Sequence, residues 1–360
     1  MGTARTFNSN SSTDMNNVAN YTPSTGSLSS TDDLTFNSSG SVGASATADL
    51  NVGSITVTSA FGYAWGMGGH NLILNNSTGL WLNNTGHATG LTNSNVTLNA
   101  PNTTVTFQGA GTWNTTGCQI VCASTGAVIQ VNSALTIGGV TLQSNASGTI
   151  QGTNSYLTMV QNPNGVIFGT NSTLTTNCDV LMQPSASAVT MITGAVGAVW
   201  NGSGTTTIRP GGNSWTITIS SSYFTYSGTG YIRIGDNSMT GCTVGLNSNI
   251  QIISPSYLYI SGACTFRCNG YYINGNVSFN GSGNTFVLGD DMHCQLWNNL
   301  SGTLNKSGHN LFSWGAMSIV IGGVRHPIWK LQISKLGVWH EVLICQNAVS
   351  NAWHAQKVAI

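Results

Sequence analysis

The sequence predicts an all-β fold: a single-stranded parallel β-helix, or β-solenoid, with a small C-terminal β module. Three observations predict it. Charged residues make up only 5% of the 360 residues, against roughly 25% in an average soluble domain. The residues on which surface helices lean are nearly missing, with Glu only at Glu341 and Lys only at Lys306, Lys330, Lys335 and Lys357. Short runs rich in Val, Ile and Thr recur between Gly, Asn, Ser and Pro turns from Gly53 to Leu304.

Residues 1–50 are polar and turn-rich and read as an N-terminal capping or attachment segment, with a short strand at Asp33-Leu34-Thr35-Phe36. Asp32 and Asp33 do not form a carboxylate pair there, because adjacent side chains on a strand point to opposite faces. Residues 51–304 form the solenoid body. Its runs include SITVT (54–58), NVTL (95–98), AVIQV (127–131), YIRI (231–234) and YLYI (257–260). Tandem β-sandwich domains are the alternative, since alternating apolar and polar positions fit both. Charge decides between them. No Asp, Glu, Lys or Arg occurs from Leu50 through Cys178, and separate domains would need long solvated loops in that stretch. Stacked coils pair their own backbones and leave only two ends as edges. Thr, Ser and Asn can then form the wet side, with Gly and Asn at tight corners. No strict period names a repeat family. Residues 305–360 hold all four Lys, and PIWKLQISKLGVWHEVLI (327–344) reads as two strands around Leu336-Gly337, part of a C-terminal cap or assembly module.

The composition excludes several functions. A net charge of 0 gives no basis for gripping a phosphate backbone, so nucleic acid is not an expected partner. No run approaches the ~20 apolar residues of a membrane-spanning helix, so membrane insertion is not expected either. Glycoside hydrolysis needs carboxylates about 5 to 9.5 Å apart, and Asp179 and Asp236 are the only acids between Asp49 and Asp290. Arg209, Arg233 and Arg267 are the only cations between Arg5 and Lys306; each reads as part of a salt bridge at a turn or as a solitary solvated charge, with a modest polar patch of Arg209, Arg233 and Asp236 as the alternative. Asp290-Asp291-Met292-His293-Cys294 is the densest set of metal-ligating types but lacks a third ligand at diagnostic spacing, and reads as a turn feeding a strand. Cys118 and Cys122, like Cys264 and Cys268, are four apart, which is not the spacing of zinc or redox motifs. Buried thiols are expected, with Cys118, Cys178, Cys242 and Cys294 as candidates for an inward stack. No catalytic residue, cofactor or metal is expected.

Aromatic residues are the stronger lead. Trp65, Trp81, Trp113, Trp200 and Trp215 lie beside turns and strand edges, and a narrow coil interior would leave some exposed to stack on sugar rings or pack on a neighbouring subunit. Trp314, Trp329, Lys330, Trp339, His340, Trp353 and His354 make the C-terminal region the expected contact or assembly surface.

The Gly/Asn/Ser/Thr-rich body resembles phage tail-fibre, tailspike and head-fibre or decoration proteins, and more weakly bacterial surface adhesins. Asn20-Tyr21 with Pro23, ahead of Asp32-Asp33 and Leu34-Thr35-Phe36, is similar to the openings of virion-associated β-solenoids, where Trp is common in place of Tyr21. Trp329-Lys330 and Gly337-Val338-Trp339 resemble the basic-aromatic hairpins that close many phage tail proteins, with His340 where Lys often follows. The resemblance implies a non-enzymatic structural protein of a phage virion surface or tail, acting in assembly or host-surface attachment. It implies a homo-oligomer, often a trimer, with other virion proteins and host surface glycan as partners, located on the capsid surface or tail. The alternatives are a self-assembling extracellular filament or cell-surface adhesin, and a polysaccharide-degrading tailspike-like β-helix.

Overall fold

The computed structural model describes the chain except residues 1, 9–11, 39–41, 86, 153–156, 161–163, 184–188, 210–215, 222–223, 236–240, 314–316, 322–323, 336–337, 347–352 and 358–360; of residues 317–357 it describes the backbone only. The chain winds into a parallel β-solenoid of about 10 turns. Each coil contributes one short strand to each of three faces, and each strand pairs in parallel with its counterpart one coil later. On the first face Leu50, Leu72, Val96, Ile120, Val140, Val166, Ile192, Ile219 and Leu246 succeed one another in register. On the second face Leu34, Ile55, Leu80, Val105, Ile129 and Ile150 do the same. The third face begins as a separate four-stranded sheet made by Ala44–Ser45, Trp65–Gly66, Ala88–Gly90 and Thr112–Asn114. It continues through Leu135, Leu157, Val180, Thr206, Ile232 and Leu258.

Period-2 alternation explains the burial. In Asn95–Leu98 the apolar Val96 and Leu98 are fully buried while Asn95 and Thr97 face outward. Every face repeats this, so one continuous core runs from Phe7 to Trp297. Each fully buried Val, Leu or Ile contributes about 1.5–3 kcal/mol relative to exposure. Outside, hydroxyls and amides form coil-to-coil ladders. Asn75 donates to Asn51 and Asn99 to Asn75, each 24 residues earlier, and Gln151 donates to Gln130, 21 residues earlier. The unequal offsets show why no fixed period is visible in the sequence.

The corner before the second face is filled in successive coils by Gly79, Asn102, Gly126, Asn145, Asn171 and Gly197, all with positive φ. Only Gly and, at modest cost, Asn adopt this left-handed conformation readily. The column of corners therefore gives these Gly and Asn residues a structural reason.

Both described ends depart from parallel stacking. Tyr21–Thr22 pairs antiparallel with Ala4–Phe7, whose other edge carries Asp33–Phe36. The strand read at Asp33–Phe36 is thus a rung of the column. Phe7, Tyr21, Phe36, Phe61 and Trp65 pack edge to face beneath it. At the other end Met317–Ile321 continues the column beside Trp297 and Asn298, then pairs antiparallel with Val324–Lys335. Val338–Gln346 and Trp353–Lys357 complete an antiparallel sheet.

Candidate functional site

Six of the seven C-terminal residues singled out in the sequence lie on that sheet. Trp329 and Lys330 stand opposite Ile344 and Leu343, Trp339 and His340 opposite Ser334 and Ile333, and Trp353 and His354 opposite Gln346 and Cys345. The apolar positions Trp329 and Leu331 are thus in register with Ile344 and Val342. Trp314 lies outside the described residues.

Among the described residues the tryptophans of the body are buried or half-buried, where a narrow interior would have left some exposed. Trp65, Trp200 and Trp297 are buried in the core, and Trp81 and Trp113 are half-buried, Trp113 packing edge-on against Phe107 at 5.6 Å. The interior is wide enough for indoles. Trp200 sits between Phe168 and Tyr226, with ring centroids 6.0 Å away on either side, and donates its Nε1–H to Thr176 Oγ1 at 3.0 Å. Trp215 lies outside the described residues.

The seven cysteines whose side chains are described are buried and unpaired in disulfides. Burial pushes the Cys118 and Cys122 thiols up to about 12 and Cys268 up to about 11. Cys242 and Cys264 occupy matching positions in adjacent coils, and hydrogen bonding with Cys242, then burial, pushes the Cys264 thiol well up. The stack of Cys118, Cys178, Cys242 and Cys294 is not formed, since Cys242 registers with Cys264 and Cys294 with Ile273; each is instead a separate buried core residue.

Each described aspartate is engaged in clamping coils or the N-terminal turn. Asp179 accepts the Thr205 N–H, 26 residues on, at 2.7 Å. Asp49 accepts the Asn71 N–H at 2.8 Å, which with the Asn71 amide holds its carboxyl below the usual range. Asp290 accepts from the N–H groups of Cys268 and Asn269 at 2.7 and 2.6 Å. Asp291 accepts the Asn310 N–H at 2.7 Å, which lowers its pKa. Asp33 accepts from Ser54 Oγ and Asn76 Nδ2, and Asp14 from Thr47 Oγ1. Asp32 faces inward, away from Asp33, and accepts Arg5 Nε at 2.7 Å. Burial raises its pKa, but the Thr3 N–H, Arg5 and Ser29 outweigh that and hold it below the usual range. The Asp290–Cys294 segment is indeed a turn feeding the strand Met292–Asn305, with His293 stacked on Phe312 at 4.5 Å. Among the described residues no group of three His, Cys, Asp or Glu could hold a metal ion.

A half-buried aromatic cluster lies on the third face. Tyr231, Tyr257 and Tyr259 alternate with the buried Ile232, Leu258 and Ile260 and so point outward. Tyr231 and Tyr257 stack across adjacent coils, with centroids 5.1 Å apart and planes 16° apart. Arg233 registers with Thr207 below and Tyr259 above. Its guanidinium lies 5.9 Å from the Tyr259 ring centroid, and its Nε donates to Ser261 Oγ at 2.9 Å. Below this cluster opens a groove of about 350 Å³ lined by Asp179, Val180, Leu181, Thr205, Thr207, Arg209, Tyr231 and Arg233. Arg209 and Arg233 therefore line one groove, which favours the polar patch over solitary charges, while Asp236 lies outside the described residues. The tyrosines were missed as a site, although YIRI and YLYI carry the signal: an aromatic at alternating positions beside a cation. No protein-family model, curated protein or solved structure matches this chain.

Proposed function

We propose that this chain is a non-enzymatic structural protein of a phage virion surface or tail, a rod that takes part in assembly and host-surface attachment. The observation that carries the reading is the column itself, with a hydroxyl- and amide-clad wall in which the described aspartates fasten one coil to the next or anchor the N-terminal turn. Carboxylates bound to backbone N–H groups in this way are spent on stability, which supports a structural role over a polysaccharide-degrading one. Antiparallel pairing of Tyr21–Thr22 along the first strand covers an edge that would otherwise template another chain. That supports a discrete rod over an end-to-end filament. The C-terminal sheet and the groove beside Tyr231 are candidate surfaces for assembly and attachment.

The test is peptide mass spectrometry of purified particles produced from the genome that encodes the chain. Detection at a fixed copy number per particle is expected, with no release of reducing ends from host polysaccharide by the purified protein. Absence from the particles, or release of reducing ends, overturns the reading.

A further inference from the structure

We propose that Cys242 and Cys264 are a disulfide-forming site, closed by a small-molecule disulfide when the chain passes from a reducing to an oxidising compartment, and that the bond staples two successive coils.

Register is the first argument. Cys242 and Cys264 are direct partners in the parallel pairing of Cys242–Leu246 with Cys264–Arg267. Cys242 and Val244, like Cys264 and Phe266, are buried, while Thr243 and Thr265 between them are half-buried. The two cysteine side chains therefore enter the core one above the other. Neighbouring parallel strands lie about 4.8 Å apart, inside the Cα separation of about 4.4–6.8 Å that a disulfide bridges. The thiols already meet, since Cys242 is in hydrogen-bond contact with the Cys264 thiol. A bond between the sulfurs needs the Cβ atoms at about 3.5–4.5 Å, slightly nearer than the strand spacing. Each cysteine follows a bend, at Gly241 and at Gly262-Ala263, where the chain can give without breaking a ladder.

No other cysteine among the described residues is placed this way. Cys122 lies between Leu98 and Leu142, and Cys294 between Ile273 and Ser313. Cys118, Cys178 and Cys268 precede or follow strands without entering a ladder. Cys118 and Cys122 are about 13 Å apart along an extended run, beyond the ~7 Å limit for bridging. The step itself is thiol–disulfide exchange. One protein thiolate attacks a sulfur of the reagent disulfide, forming a mixed disulfide and expelling one reagent thiolate. The second protein thiolate attacks the protein sulfur of that bond and expels the other. The protein dithiol loses two electrons, the reagent disulfide is reduced to two thiols, and the two protons end on them. Burial keeps both thiols protonated and out of reach in the closed fold, so the bond forms while the coils are still winding or when one opens. Closing a loop of about 20 residues restricts the unfolded chain, and in a stack of coils the gain is local to the two that are joined.

The test is refolding of the full chain, first unfolded under reducing conditions, in a mixture of reduced and oxidised glutathione and, separately, in reduced glutathione alone. Remaining thiols are alkylated in denaturant and the protein is digested without reduction. One major cross-linked peptide pair is expected, joining Cys242 to Cys264, lighter by two hydrogens than the separate peptides and absent from the reduced sample. Hydrogen exchange in Cys242–Leu246 and Cys264–Arg267 should slow by at least about tenfold in the oxidised protein, while Asn95–Leu98, many coils away, exchanges as before. Cys264→Ala should abolish both the link and the slowing. Should that variant not fold, the cross-link map and the exchange difference of the unaltered chain decide alone. Absence of the link, links scattered over other cysteines, a Cys268–Cys294 bond as the main product, or an oxidised protein whose two strands exchange as fast as in the reduced one overturns the proposal.

Discussion

The side-chain carbonyl of Asn171 occupies the space above Gly197 in the next coil: a Cβ built on Gly197 would lie 2.2 Å from Asn171 Oδ1. Both residues have positive φ, +53° and +73°, so the corner is specified twice, by backbone conformation and by contact. The same relation joins Asn93 to Gly117 at 2.3 Å and Asn102 to Gly126 at 2.2 Å.

This separates two costs of a glycine substitution. Gly270 also has positive φ, +82°, but a Cβ there would meet nothing within 4 Å. Gly270→Ala should therefore cost only the left-handed penalty of about 1–2 kcal/mol, and Gly197→Ala clearly more. Adding Asn171→Gly to Gly197→Ala should recover the steric part. Equilibrium denaturation of the variants and the double mutant checks this, and equal costs for the two alanines would refute the corner contact.

Arg5 and Asp32 form a buried ion pair at 2.7 Å, with Arg5 also donating to the Pro23 and Thr25 carbonyls. Asp32→Asn would leave Arg5 buried without its counter-charge, a loss of about 3–5 kcal/mol. In a quasi-one-dimensional stack the damage stays local. Hydrogen exchange should accelerate across Ala4–Phe36 while the middle coils keep their protection.

His87 is buried with its ring edge-on to Phe61 at 6.0 Å. Burial lowers its pKa from the ordinary 6.5. The unfolded chain then binds the proton more readily than the folded one. The stability His87 contributes is complete above about pH 6.5 and is lost as pH falls through its depressed folded value. Melting temperatures should decline over that window, and His87→Phe should flatten the decline. Asp49 and Asp291, lowered from 3.8, lose their contribution only at more acid pH.

The thiols of Cys118, Cys122, Cys242, Cys264, Cys268 and Cys294 should be inert in the native state, because the thiolate is the nucleophile and these groups are buried. Pulsed alkylation at pH 8 followed by peptide mapping should leave all six unmodified until denaturant is added.

Strands were legible where alternation had room to show. The runs NVTL, AVIQV, YIRI and YLYI coincide with Asn95–Leu98, Ala127–Val131, Tyr231–Ile234 and Tyr257–Ile260. Strands such as Ala44–Ser45 and Trp65–Gly66 were not legible, since two residues cannot display a period. Which tryptophans would be buried was not legible, because proximity to a turn says nothing of the width of the interior. Of the groove, Arg209 and Arg233 were legible as isolated charges. Their association with Tyr231 and Asp179 was not, because it depends on coil lengths that vary along the chain and set which residues become vertical neighbours.

The in-register ladders also turn the number of windings into a measure of length. Each winding adds one strand spacing, about 4.8 Å, and touches only those above and below it. Duplicating or excising a whole winding between matched Asn and Gly corners would lengthen or shorten the molecule by that one increment, leaving both tips chemically unchanged. Evolution could thus adjust how far the C-terminal sheet stands from its base without redesigning either.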